Sequence, residues 1–343
     1  MRIPAAPGTH QGGEKPRMIS RRNLASLTAA LSLPALLPRT ARAQSWPTRP
    51  VTMIVPWAAG GGADTVTRIF ATGLEAELGQ PINVVNRTGG NGIVGHAAIA
   101  NASSDGHTIG CGTSELVNFK VLGQSNLGPQ NVDLISRIAA IPAGVMVKAD
   151  GDWKDFKSFA AGLKEAAKGR VTGSGVSTGG SWHLAAAGLA KSMGMPVDTI
   201  RWIPSQGGAP ALQDLVAGGI SVFTGSPIEA KPLADAGQVR VLAVMADERM
   251  SSFPNVPTLR EEGVDWTYQN WFSLVTPKGL PTPVRQRLIE AATKGHARPE
   301  VQNIMKQRGI VPVWETPEQF QTYVKQFAET TSSLLHELGL ARG

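Results

Sequence analysis

Twice in this chain a short apolar run ends in a cluster of glycines from which a helical pattern starts, and that order leaves few folds open. The first instance is "VTMIVPWAAGGGADTVTRIF" and the second "RVTGSGVSTGGSWHLAAAGLA". A strand without polar alternation is buried on both faces, and a helix that follows it carries the chain back to a parallel neighbour. The pattern recurs around both instances. Strands at 51–56, 82–85 and 108–111 alternate with helices at 65–79 and 93–100. A second series places strands at 170–173, 199–203, 220–224 and 239–245 among helices at 155–167, 182–193, 209–216 and 229–236. Two such series in tandem predict an α/β protein of two domains, each a mainly parallel sheet flanked by helices, with a cleft between them. The tail differs: a strand at 271–276, then helices from Thr282, Pro299 and Glu318, the last carrying Phe320, Val324, Phe327, Leu334 and Leu335 on one stripe. Such a stripe needs a body to pack on, and the expected body is the first domain.

Charge excludes some functions. The formal net charge is +7, but seven basic residues (Arg2, Lys15, Arg17, Arg21, Arg22, Arg39, Arg42) against Glu14 put +6 of it before residue 44, so the remainder carries only +1. A nearly neutral body gives no electrostatic footprint for nucleic acid. Arg21 and Arg22 precede the apolar stretch "LASLTAALSLPALL", and "ARA" follows; this order predicts a secretory signal peptide over 1–43, of the twin-arginine kind, cleaved after Ala43. Fourteen residues broken by Pro34 are too few to cross a bilayer about 30 Å thick. The lone Cys111 rules out an internal disulfide, so the apolar core must carry the stability.

Each glycine-rich loop carries small residues and no basic side chain. Free N–H groups at a helix start, with the positive end of the helix dipole, suit an anion. The first loop lacks the Gly-Lys-Ser/Thr ending of a phosphate-binding loop and the spacing of a dinucleotide fingerprint. Asp64 reads as the cap of the first helix, and His183 as a brace at the start of the second. A rival reading comes from Gly175-Val176-Ser177-Thr178-Gly179, which matches the G-x-S-x-G elbow of serine hydrolases and would make Ser177 a nucleophile. Against it, Gly180 and Ser181 prolong the turn, no oxyanion-type loop precedes it, and the later histidines, His296 and His336, lie in other contexts. The six histidines show no metal-ligand spacing, so neither metal nor cofactor is expected.

The motifs "WPTRPVTMIVPWAAGGGADTVTR", "LGQPINVVNRTGGNGIVG", "DGHTIG", "ALQDLVAGG", "VRVLAV", "FPNVPTLREEG" and "PKGLPTPV", in that order, resemble the Bug family, the extracytoplasmic solute-binding proteins of tripartite tricarboxylate transporters. "GGSWH" and "NWFSLVTPKGLP" are most similar to its tricarboxylate-binding branch. The resemblance runs from Trp46 to Leu340. It implies a two-domain Venus-flytrap fold with the first domain over 44–145, the second over 146–267 and a return to the first over 268–343. It also implies periplasmic capture of a small carboxylate and delivery to membrane permease subunits by a monomer without enzymatic activity; a role in ligand sensing through a receptor is the variant that sequence leaves open. The ligand contacts it implies are Trp57, Ala58, Gly60, Gly61 and Asp64 on the first loop, and Ser177, Thr178, Gly180, Ser181 and His183 on the second. Thr113, Ser114, Thr224 and Ser226 match further positions lining the cleft. The chain departs from the family's pattern at Trp57, Trp182 and Ser221. Glu115 and Glu229 lie beside candidate contacts, where a carboxylate would repel a second ligand carboxylate or pair with an ammonium. The hinge is expected at the segments that cross between domains, near 141–147 and 267–272.

Overall fold

The computed structural model describes residues 46–166, 169–205 and 207–342; the expected export segment and its cleavage site lie outside them. The first sheet is assembled from β1 (Val51–Val55), β2 (Ile82–Asn86), β3 (Thr108–Thr113), β4 (Val132–Pro142), β10 (Gln269–Pro277) and β11 (Val311–Pro312), in the order β11-β4-β10-β3-β1-β2. β1 is its pivot, parallel to both β2 and β3, with Val51 opposite Ile82 and Thr52 opposite Thr108. Both faces of β1 are covered, which is why it reads as an apolar run interrupted only by Thr52. Val51, Met53 and Val55 face α1 (Gly62–Leu78), α7 (Thr282–His296) and α8 (Pro299–Gln307), whereas Ile54 packs with Ile99 of α2 (Ile93–Ala100) and Phe320 of α9 (Pro317–Glu337). α1 and α7 cross at Gly73 and Gly295, where a Cβ on Gly73 would come within 2.3 Å of the Gly295 carbonyl oxygen; only glycine allows that approach.

The second sheet has the order β7-β6-β8-β5-β9, from β5 (Gly144–Lys148), β6 (Thr172–Ser174), β7 (Arg201–Trp202), β8 (Val222–Phe223) and β9 (Val239–Val244). α3 (Phe156–Glu165) and α4 (Ser181–Ser192) cover one face through Phe159, Leu163, Leu184 and Leu189. α5 (Gly208–Ala217) and α6 (Pro227–Asp235) cover the other through Leu212, Leu215 and Ala230. α3 starts where its sequence dictates: Asp155 accepts from the Ser158 N–H at 2.8 Å, a capping interaction worth about 1 kcal/mol.

Both sheets are mixed rather than mainly parallel. The halves that carry the glycine-rich loops, β2-β1-β3 and β7-β6-β8, are parallel as the βα order requires. The other halves are antiparallel because their strands pass from one sheet to the other. β4 leaves the first sheet at Pro142, and after the single residue Ala143 the chain is β5 of the second. β9 returns through Met245 and Tyr268 into β10. Three backbone hydrogen bonds tie these crossings: Ala143 N–H to Tyr268 O (3.0 Å), Met245 N–H to Ala143 O (2.8 Å) and Tyr268 N–H to Met245 O (3.0 Å). α9 touches both lobes, with Phe320 and Val324 on the first core and Leu334 and Leu335 in the second. No helix among the described residues is long and apolar enough to cross a membrane.

Candidate functional site

The two glycine-rich turns have the same backbone. Gly60 (φ 81°) and Gly179 (φ 76°) take the left-handed conformation that favours glycine; Gly61 (φ −76°, ψ 175°) and Gly180 (φ −78°, ψ 173°) then cap α1 and α4. Each cap donates its N–H to the residue three positions back, Gly61 to Ala58 O (3.4 Å) and Gly180 to Ser177 O (3.0 Å). In each, the third helical side chain folds back onto the left-handed glycine. Asp64 Oδ2 accepts from the Gly60 N–H, and His183 Nδ1 from the Gly179 N–H, both at 2.9 Å. Asp64 is therefore not the cap expected from sequence: Gly61 takes that position, and Asp64 secures the turn from inside the helix.

The two braces differ in charge. Burial alone would raise the Asp64 carboxyl; hydrogen bonds from Arg68 Nε (3.0 Å), the Gly60 amide and Asn86 Nδ2 (2.9 Å) outweigh it and hold the group below the usual carboxylate range. His183 stacks on Trp202 at 4.8 Å, and burial pushes its pKa down to about 4, so the ring is neutral with its proton on Nε2. His183 and Trp202 line a hollow of about 300 Å³ toward Leu338 and Leu340. Both braces thus fasten the turns' own backbone, through Asp64 Oδ2 and His183 Nδ1.

Between the turns lies a chain of polar contacts that joins the lobes. Trp57 Nε1 donates to Thr113 Oγ1 (3.2 Å), Thr113 donates to Glu115 Oε2 (2.7 Å), and Ser181 at the first position of α4 donates to Glu115 Oε1 (2.7 Å). Ser114 Oγ lies 2.9 Å from Ser181 Oγ and donates to Asn270 Oδ1 on β10. Beneath them His96, fully buried, accepts the Thr113 N–H at Nε2 (3.2 Å) and donates from Nδ1 to Gly92 O (2.8 Å), with its pKa pushed down to about 4 by burial. At the mouth Ser177 Oγ donates to Asn91 Oδ1 (3.2 Å); Asn91 is held at φ 57° in the turn before α2.

Of the residues expected at the site, Ala58, Gly60, Gly61 and Thr178 are exposed, while Gly180, Ser181, Thr113 and Ser114 are buried at the junction of the lobes. Thr224 and Ser226 are occupied elsewhere: Thr224 Oγ1 donates to Trp182 O (2.9 Å), and Ser226 caps α6 by accepting the Ile228 N–H (3.3 Å). The Trp182 ring is in the second core, and Ser221 pairs with Thr172. Glu229 is exposed as a residue, but its carboxylate tucks over Gly208 at the start of α5, where desolvation raises it to about 7. Asn86, Asn91, His96 and Asn270 were not singled out by sequence; each acts through a contact distant in the chain, and no local pattern marks it. Ser177 meets an amide rather than a base, and none of the described histidines is hydrogen-bonded to it, so the elbow lacks the geometry of a nucleophile. No group of three or more potential metal ligands occurs among the described residues.

Known proteins resemble this chain over most of its length. The family model described as "Tripartite tricarboxylate transporter family receptor" matches residues 66–340. A protein of Pseudomonas sp. (strain P51), described by its place in the tcbD-tcbE intergenic region, is 31% identical over 324 residues, covering 93% of this chain and 95% of that one. Protein BugT of Bordetella pertussis is 27% identical over 313 residues, covering 87% and 91%. Among solved structures, the periplasmic binding protein BugD superposes with a TM-score of 0.74 at 27% identity over 87% of this chain and all of that one. An R. palustris protein solved with adipate gives 0.76 at 25% identity over 86% and 99%. The chain belongs to the tripartite tricarboxylate transporter family receptors.

Proposed function

We propose that the two matching turns hold a small carboxylate between the lobes, and that the protein hands this solute to the permease subunits of a tripartite tricarboxylate transporter. As a member of its family it is a periplasmic solute-binding receptor and not an enzyme. The observation that carries the reading is the convergence of the turns: the Gly61 cap of α1 and the Gly180 cap of α4 belong to opposite lobes and are linked through Trp57, Thr113, Glu115 and Ser181. The first N–H groups of each helix have no intrahelical partner, and the aligned peptide dipoles favour negative charge there; the start of α4 already has Glu115 against it through Ser181, and the start of α1 is left for the solute's carboxylate. The adipate complex of the R. palustris relative supports a carboxylate ligand.

We read the hinge at 141–147 and 267–272, supported by the backbone hydrogen bonds that tie Ala143 and Tyr268 to each other and to Met245, and the domains as 44–145 with 268–343 and 146–267. Opening there would part Ser177 from Asn91 and Ser181 from Glu115; closing over a solute would restore these contacts and exclude water. The protein acts as a monomer exported by a leader removed after Ala43. A thermal-shift screen over carboxylates tests the reading: a ligand at a hundred times its Kd adds about 2.7 kcal/mol of stability. No shift with any carboxylate would refute it.

A further inference from the structure

We infer that the solute carries a protonated amine beside its carboxylate, and that Glu115 is the residue that selects for it; this rests on the carboxylate reading above. Thr113, Ser114 and Ser181, the hydroxyl groups expected to donate to a ligand carboxylate, have no hydrogen left to give. Each hydroxyl owns one proton. Those of Thr113 and Ser181 go to the two oxygens of Glu115, and that of Ser114 to Asn270. The Trp57 indole N–H is spent on Thr113 as well, which leaves the buried Tyr268 hydroxyl as an unpartnered side-chain donor here. Around Glu115 the hydroxyl side chains therefore offer a solute lone pairs rather than protons, alongside those of a carboxylate and an amide oxygen; the donors left are the Tyr268 hydroxyl and the backbone amides of the α4 start.

Charge points the same way. Glu115 is 7% exposed, and no ion pair among the described residues includes it. A buried carboxylate satisfied only by neutral hydroxyls is costly, and an opposite charge brought beside it removes that cost. A second ligand carboxylate at the same place would meet like charge at close range in a medium of low dielectric. The exposed first turn differs: Gly61 is open, and the Asp64 carboxylate beside it is paired with Arg68. The solute's carboxylate therefore belongs at the α1 turn and its ammonium at Glu115, beside the start of α4.

The test compares diacids with amino acids of matched length, adipate against ε-aminocaproate and succinate against γ-aminobutyrate, with α-amino acids as a third set, on the mature protein and on Glu115→Gln, reading melting temperature and Kd by calorimetry. The wild type is expected to bind amino acids at least tenfold more tightly than the matched diacids. Glu115→Gln, which keeps the shape and the unliganded fold, should lose that preference. Equal or tighter binding of the diacids, unchanged by Glu115→Gln, overturns this inference and leaves the carboxylate reading standing. Absence of binding by every carboxylate, with or without an amine, overturns both.

Discussion

The α1 and α4 turns are built alike and finished differently. Both place a left-handed glycine before an extended glycine cap, and both fasten the former with the third side chain of the helix. The α1 turn is exposed and fastened by an ionised carboxylate inside a charged cluster with Arg68 and Asn86. The α4 turn is buried, fastened by a neutral imidazole on Trp202, and faces Glu115. An anion site needs free amides, the dipole end and no competing negative charge. By that measure the α1 turn is the open one, and the α4 turn is already supplied with a carboxylate by the protein itself.

The sharpest way to break the comparison is to obstruct the open turn. A Cβ on Gly61 meets nothing closer than Ala58 O at 3.4 Å, and its backbone is one any residue adopts, so Gly61→Val should fold with an unchanged unliganded melting temperature. Its side chain would cover the amides, and ligand binding should weaken by about a hundredfold, or roughly 2.7 kcal/mol; calorimetry checks this. The matching change in the buried turn is a different experiment. At Gly180 a Cβ lies 2.7 Å from Val176 Cγ2, so Gly180→Val should lower the melting temperature by overpacking, typically about 1–3 kcal/mol, before any ligand is added.

A second effect is the pH dependence of stability. His96 and His183 titrate near 4 in the folded protein against an ordinary 6.5, so the unfolded chain binds their protons first as pH falls. Stability is then complete above about pH 6.5 and declines toward pH 4, by about 3 kcal/mol at most for each histidine. Glu229 works in the opposite sense: its folded value near 7 lies above the ordinary 4.5, so its contribution is present at low pH and lost as pH rises through 7. Melting curves between pH 4 and 8 should show the histidine decline, and His183→Gln should make it shallower.

Asp64→Ala should come next. It strips the Gly60 amide, Asn86 and Arg68 of their shared acceptor and should cost about 1–3 kcal/mol, seen as a lower denaturation midpoint. The smallest effect belongs to the mouth: Ser177→Ala removes one contact to Asn91, worth about 0.5–1.5 kcal/mol, and should weaken ligand only severalfold. A hydrolase nucleophile would make that change decisive for any esterase signal, and none is expected.

The parallel halves of both sheets, with their loops and helices, could be read from the chain because a buried β1 and an amphipathic α1 are local patterns. The crossing strands could not. β4 and β5 look like one apolar stretch broken by Pro142, and nothing local says that its two parts pair in different sheets. The same limit holds at the site. The turns announce themselves through their glycines, but the assignment of Asp64 to capping failed because Gly61 supplies the extended backbone a cap requires and leaves Asp64 to fold back from the helix. Glu115 was visible beside the candidate hydroxyls, yet its use of their protons depends on Ser181, 66 residues away.

Amide resonances of the nitrogen-labelled protein, followed while a bound carboxylate is titrated, test the central claim most directly. The largest shifts are expected at the N–H groups of Gly61, Gly62 and Ala63, with smaller ones at Ser181 and Trp182 as the second lobe closes. Shifts confined to residues outside both turns, with these amides unmoved at saturation, would contradict it.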